Sequence, residues 1–389
     1  MLTFESFTGI NNVLPGHRRS SGELASALNV DIGLTGEISR RGGYSEASAL
    51  CHKNLHQSTG YMLATVGGVL AAIWPNGDRH VIHPALGFSR VRYCNLPDGR
   101  TLFSNGLIHG MTDGLTLQDW TIPAPESAGS VAPAHGAMFP GSYRMFLTYR
   151  RLSDRVEGPA LDAGLIPIGL GGLRIDGLPT LDGYEVCVYL SGEGGEGGYF
   201  AGATTSSTFD FSGANDSLVV PCRTLGTFAA PVGTHMAYWR GRVLIAVGTT
   251  LWATVPGSMH LVAWRDFRQF SSPITMVAPG DGGIYVGTET ELVFLAGERF
   301  DQMVYRSVAA GYVVPGSGVV APGERVKLGD GVGRGDAVLC IVGGFIVAGF
   351  GDGQLSMLTA DRYKTTAQEV AATFRTVNGI PQYIVVPQQ

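Results

Sequence analysis

The sequence predicts an all-β fold, β-propeller-like, with about six or seven blades. Three observations carry that expectation. Glycine accounts for 57 of 389 residues, without the strict period of collagen, and sits among short runs of Val, Ile, Leu, Tyr and Thr, as tight turns between short strands require. Helical periodicity is scarce: residues 365–375 (TTAQEVAATFR) are the one convincing short helix candidate, and they read equally as a strand. Strand-like units also begin near Met62, Leu102, Tyr143 and Tyr184, at steps of 40, 41 and 41 residues, and resume near Met236, Gly282 and Val342. A period near 40 with two to four strands per unit suits a propeller blade; a pair of β-sandwiches is the rival.

Residues 1–60 read as an N-terminal arm with a closing strand. Within ALNVDIGLTGEISRRGGY (27–44), Asn29 and Asp31 are placed to satisfy backbone groups at a strand start, while Gly33 and Gly36 turn the chain. Arg40 and Arg41 are adjacent, so on a strand only one faces a given partner, and they lack a phosphate-binding context. With Tyr44, these residues are candidates for structure and assembly rather than catalysis. The expectation is that this strand completes a blade with the C-terminal GIPQYIVVP, so that the propeller has no free edge. Removal of residues 1–44 then lowers the melting temperature greatly.

Residues 61–389 read as the propeller-like repeats. Arg-Gly-Arg joins two strands in YWRGRVLIAVGTTLWAT, and Gly-Asp-Gly does so in VGGFIVAGFGDGQLSML. Pro123 to Pro140, rich in Pro, Ala, Gly and Ser, reads as an extended crossing. Residues 184–211 carry a fibronectin-like hairpin pattern, which places a fibronectin-like or inserted β segment at about 158–225.

The chemistry-bearing signals are weak. Lys plus Arg is 27 and Asp plus Glu 32, a net charge of −5, without the basic surplus of a nucleic-acid-coating protein. The five cysteines are odd in number, widely spaced and without a CxxC, so buried free thiols are expected. His52 and His56 stand four apart without the intervening Glu of a zinc helix. A nucleophile elbow, a P-loop and a calcium-loop signature are all missing. Asp98, Asp113, Asp281 and Asp352 each precede a glycine, where turn duty explains them. The expectation is therefore no catalytic residue, no metal and no cofactor. The opening MLTFESF lacks a signal-peptide pattern, and the apolar run AVLCIVGGFIVAGF is too short to span a membrane.

FTGINNV followed by ALNVDIGLTGEISRRGGY resembles the opening of a family of tailed-bacteriophage virion proteins. The match falls on Phe7, Gly9, Ile10, Asn11, Asn12 and Val13, then on Ala27, Asn29, Val30, Asp31, Ile32, Gly36, Ile38, Arg40, Arg41, Gly43 and Tyr44. YRMFLTYRRLSDRVEGP resembles that family's strand ending near a Glu-Gly or Glu-Ser pair, and MAYWRGRVLIAVGTTLWATVPG is similar to its mid-chain blade. The chain thus looks like the tail tubular, or nozzle, proteins of short-tailed phages, although those are often much longer. The resemblance implies a propeller-like virion component of the tail or neck, assembled in the host cytoplasm. It implies a homo-oligomeric ring touching portal, adaptor or other tail proteins, through which DNA passes without specific binding. A mildly acidic wall suits such a conduit, because a basic one would retain the duplex. The alternative function is a glycan-binding or glycan-cleaving propeller acting on the host surface, which calls for an aromatic-lined pocket with convergent carboxylates.

Overall fold

The computed structural model describes residues 6–33, 35–43, 45–328, 331–377 and 379–388. Among them every regular element is a strand or a single 3-10 turn. Five antiparallel sheets follow one another along the chain. The first runs Lys53–Gln57, Met62–Val66, Val69–Ile73 and Arg79–His83; the second runs Arg92–Asn95, Thr101–Ser104, His109–Thr112 and Leu117–Gln118. The third runs His235–Trp239, Arg242–Val247, Thr250–Val255 and Ser258–Gln269, with Thr227–Ala229 added outside the last strand. The fourth runs Ile274–Gly280, Gly283–Thr288, Glu291–Ala296 and Val304–Ala310; the fifth runs Val319–Pro322, Asp336–Val342, Phe345–Gly349 and Leu355–Met357. A two-stranded hairpin, Val370–Val377 with Ile380–Pro387, ends the chain.

The sheets pack face to face, and this explains their sequences. A middle strand covered on both faces reads as a continuous apolar run rather than an alternating one, and all six residues of Gly283–Thr288 are buried. Leu63, Leu70 and Ala72 of the first sheet share a core with Phe103 of the second. Cys94, Leu102 and Met111 of the second meet Val243 and Ile245 of the third. Leu244 and Leu251 meet Ile284 and Val293 of the fourth, Tyr285 and Phe294 meet Val338 and Val347 of the fifth, and Leu339 and Phe350 meet Phe374 and Tyr383 of the hairpin. Each fully buried Leu, Ile, Val, Met or Phe among these contributes about 1.5–3 kcal/mol relative to exposure.

Side chain-to-backbone bonds stitch the same junctions. Tyr61 Oη donates to the Thr112 carbonyl (3.1 Å), Ser104 Oγ to Gly233 (2.5 Å), Arg240 Nη2 to Asp281 (3.3 Å), Tyr285 Oη to Phe350 (2.6 Å) and Tyr383 Oη to Ser317 (2.6 Å). Glycine is obligatory at Gly349, where a Cβ would overlap the Tyr285 ring.

Between the second and third sheets, seven strands form two further sheets packed on one another. Leu161–Ile168, Gly141–Arg151, Tyr184–Leu190 and Tyr199–Thr204 make one; Ser130–His135, Gly171–Asp176 and Thr208–Phe211 make the other. Tyr143, Met145, Leu147 and Val188 of the larger sheet bury against Leu173, Ile175 and Phe211 of the smaller.

These elements correct two expectations and sharpen others. The units beginning at Tyr143 and Tyr184 are not separate blades: their strands are neighbours in one sheet, with Arg151 opposite Tyr184. The described residues give six sheets of four or five strands, five in the face-to-face series and one in the two-sheet segment, and a two-stranded hairpin after the fifth sheet of the series. The 123–140 crossing is extended and partly exposed as expected, with Ser130–His135 as a strand, and residues 365–375 take the strand alternative, contributing to Val370–Val377. Among the described residues the N- and C-terminal strands do not pair with each other: Ile38–Arg40 pairs with Val30–Ile32, and Ile380–Pro387 pairs with Val370–Val377.

Candidate functional site

A cavity of about 670 Å³ lies where the second sheet, the two-sheet segment and the third sheet meet. Strand Gly141–Arg151 builds one wall. Its inner half sits in the core, and its end runs out to the second sheet, where Arg151 Nη2 donates to the Asp119 carbonyl at 2.7 Å. The chain then reverses through Arg155 (φ 60°) and returns as Glu157, bridged to Arg150. The Glu157 carboxylate accepts from Thr148 Oγ1 at 2.5 Å and from Tyr189 Oη at 2.7 Å. The Glu157 carbonyl accepts from His260 Nε2 of the third sheet at 2.8 Å. Trp120 Nε1 donates to the Met259 carbonyl at 3.0 Å, tying the floor together.

Burial governs the protonation of this wall. It pushes the Cys187 thiol up to about 12, with Glu157 adding to the effect. Burial, then the bond to Glu157, also raises the Tyr189 phenol, which stays a donor. Burial lowers His260, leaving it neutral near pH 7.

The cations are mostly engaged. Arg150 pairs with Glu185 at 2.7 Å and lies 5.4 Å from the Phe200 ring centre; Arg151 pairs with Asp154 at 3.1 Å. Arg223, at the cavity edge, has no hydrogen-bond or ion-pair partner among the described residues. The cavity thus joins aromatic surface (Trp120, Tyr189, Phe200), two carboxylates (Asp154, Glu157) and one uncommitted guanidinium. Its volume lies in the range of small-molecule sites. Both carboxylates are already held by neighbours, an arrangement suited to positioning a polar ligand.

The residues singled out in the sequence lie elsewhere, in the N-terminal arm. Asn29 is exposed with φ 55°, and its carbonyl accepts from Arg41 N at 2.9 Å. Asp31 pairs with Arg41 at 3.2 Å in solvent. Gly36 is buried at φ 84°, its carbonyl bonded to Phe7 N at 2.9 Å. Arg40 is exposed, opposite Val30 in the short hairpin. Tyr44 lies outside the described residues.

Asn11 and Asn12 fasten this arm to the loop after the fifth sheet. Asn12 N donates to the Arg362 carbonyl (2.9 Å), Asn12 Nδ2 to Lys364 (2.8 Å), and Lys364 N returns a bond to Asn12 Oδ1 (2.8 Å). Asn11 Nδ2 reaches Glu23 (3.0 Å) and the Asp361 carbonyl (3.3 Å). The four Asp-Gly aspartates accept backbone N–H bonds. For Asp98, Asp113 and Asp352 the donors lie within the turn; for Asp281 the donor is Asp336 N, in the next sheet. His52 and His56 flank and occupy a strand rather than a helix, and His56 stacks on Tyr93 with ring centres 4.6 Å apart. Four cysteines are buried and Cys51 is exposed.

Sequence reading missed the cavity as a site, although its pivot was in view as the Glu157-Gly158 pair ending YRMFLTYRRLSDRVEGP. Tyr189 and Arg223 carry no local signal, because strand neighbours bring them to Glu157 only in space.

The fold and cavity define an all-β scaffold of propeller type. No known family matches the chain, and no curated protein matches it. Among solved structures it is similar to the Pan2 WD40 domain of Neurospora crassa (10% identity, 85% of this chain and 84% of that one, TM-score 0.35). It is also similar to a streptogramin B lyase (8%, 82% and 85%, 0.32) and to apo AztD from Citrobacter koseri (12%, 80% and 87%, 0.28). These likenesses are too distant to say anything of function, and the fold rests on the strand pairing above. No helix among the described residues is long and apolar enough to cross a membrane.

Proposed function

We propose that this chain is a binding scaffold, a structural component of a bacteriophage tail or neck that acts by contact with neighbouring proteins. The observation that carries this reading is the opening motif. The residues through which the chain resembles the nozzle family include Asn11 and Asn12, which hold a separate arm against the body and leave its hairpin exposed. Phe228, Trp264 and Phe267 add exposed aromatic surface on the outer strands of the third sheet, the kind of surface that marks protein contact. The five sheets and the C-terminal hairpin close one propeller, the hairpin taking the place of a sixth blade. The DNA path belongs to a homo-oligomeric ring of such subunits, because a further cavity, lined by the first four sheets and the hairpin, measures only about 240 Å³, far too small for a duplex. The test is quantitative mass spectrometry of purified particles with immunogold labelling. Label at the tail or neck supports the reading, and absence from particles refutes it.

A second reading, recognition of host-surface glycan, is favoured by the large cavity, which unites the aromatic rings and carboxylates that such a ligand requires. The cavity speaks for ligand binding more directly than any feature speaks for a position in a particle. Its test is a glycan array with Arg223→Ala and Glu157→Gln: binding lost in both variants supports it, and no signal refutes it.

A further inference from the structure

A second cavity, of about 240 Å³, lies where the first four sheets of the series, the loop ahead of the fifth and the C-terminal hairpin come together. Its wall takes Asn54–His56 from the first sheet, Arg92 and Tyr93 from the second, His235 and Met236 from the third, Thr275–Val277 from the fourth, Gly316 and Gly318 ahead of the fifth, and Val370–Ala372 from the hairpin. Among the described residues its lining holds Arg90, Arg92, His56 and His235 but no carboxylate.

The single acid nearby is Glu369, and both arginines share it. Arg92 Nη2 lies 2.7 Å from Glu369 Oε1, and Arg90 Nε lies 3.2 Å from the same oxygen. Arg90 Nε is buried and not directed for a hydrogen bond there. One partly exposed carboxylate thus serves two largely buried guanidiniums. His235 adds a donor. Its Nδ1 lies 3.1 Å from Thr234 Oγ1, and its buried Nε2 has no hydrogen-bond partner. When the Thr234 hydroxyl donates to Nδ1, Nε2 carries the hydrogen and offers it to the cavity.

We propose that this axial cavity binds a small oxyanion, a carboxylate or phosphate, between Arg90, Arg92 and His235 Nε2. An anion supplies the second negative charge that the arginine pair lacks, and it accepts the buried N–H, which is costly to leave unmade. Burial and then Arg92 push the His235 imidazole down to about 3, and burial and then Arg90 lower Arg92. Both directions report a desolvated positive field that an anion relieves. Because the wall draws on the first two sheets and the C-terminal hairpin, the bound anion also holds the two ends of the sheet series together. This inference does not depend on the phage reading.

The test uses the full chain, titrated with inorganic phosphate and separately with malonate at constant ionic strength, with chloride as control. Isothermal calorimetry and thermal melting are the readouts. The expected result is saturable binding of at least one oxyanion with a rise in Tm, and affinity weakened about tenfold or more in Arg90→Gln and in His235→Leu. Arg299→Gln, an exposed cation paired with Asp301 outside the cavity, should bind as wild type. In wild-type protein the His235 ¹⁵N imidazole resonance should move with the same midpoint, a readout that needs no variant to fold. Absence of saturable binding overturns the proposal, as does an equal effect of chloride, affinity unchanged in Arg90→Gln, or an unmoved His235 resonance.

Discussion

Arg92 and Glu369 lie 277 residues apart in the chain, and their side chains meet at 2.7 Å. The contact joins the second sheet to the residue just before the C-terminal hairpin, so it acts as a clasp between early and late parts of the molecule. Arg90 reinforces it by donating to Gln388 Oε1 at 3.2 Å. Glu369 is partly solvated, so the pair is screened. A double-mutant cycle of Arg92→Ala and Glu369→Gln, read by urea unfolding, should give a coupling of about 1 kcal/mol. Hydrogen exchange should show residues 370–387 opening faster in either single variant.

The junction between the fourth and fifth sheets depends on close approach as well as on a bond. Tyr285→Phe removes the buried donor to Phe350, whose carbonyl keeps its bond from Gly353 N at 2.9 Å, a loss of about 1 kcal/mol. Gly349→Ala forces a methyl against the Tyr285 ring and should cost about 1–3 kcal/mol. The two effects should be non-additive in denaturant melts, because both act on one ring.

The N-terminal arm hangs on Asn11 and Asn12. Asn12→Ala removes two side-chain bonds to Lys364 and should expose residues 6–24 to limited proteolysis, while the core melts within a few degrees of wild type. Removal of residues 1–44 should likewise cost only about 1–2 kcal/mol, since the arm completes no blade. A collapse of the melting temperature on that deletion would restore the closing-strand expectation that the topology overturns.

Acid should weaken the fold through its buried imidazoles. The His235 imidazole titrates at about 3 in the folded chain, against an ordinary value of 6.5, because of burial and then Arg92; Arg90 and His56 line the same cavity. The unfolded chain therefore binds the proton first. The stabilising contribution is whole above pH 6.5 and is lost as pH falls from there towards 3. His56, His109 and His260 are lowered by burial in the same direction. The unfolding free energy should decline over this window, and His235→Gln should flatten part of the slope without removing it.

Much of this fold was legible because middle strands carry a plain signal. Runs such as those at Val243–Ala246, Gly283–Thr288 and Ala337–Val342 are apolar throughout because both faces are covered. The same grammar misled at Tyr143 and Tyr184. A sandwich strand and a blade strand present the same apolar run between the same turns, so a 41-residue step there reflects neighbouring strands of one sheet, not two blades. The turn aspartates were readable because their partners mostly lie two or three residues away. Glu157 with Tyr189, and Arg92 with Glu369, were not readable: each pair is made by sheet packing across 32 and 277 residues.

As a proposed scaffold subunit of a phage tail or neck, the chain should assemble into a ring. Cryo-electron microscopy of the purified protein, alone and mixed with portal and tail components, with native mass spectrometry of the same samples, tests it most directly. The account predicts a closed ring of identical copies around an open channel, with the exposed arm hairpin of residues 30–40 at or near a contact between subunits. A protein that stays monomeric under both conditions and instead shows saturable binding on a glycan array would contradict it.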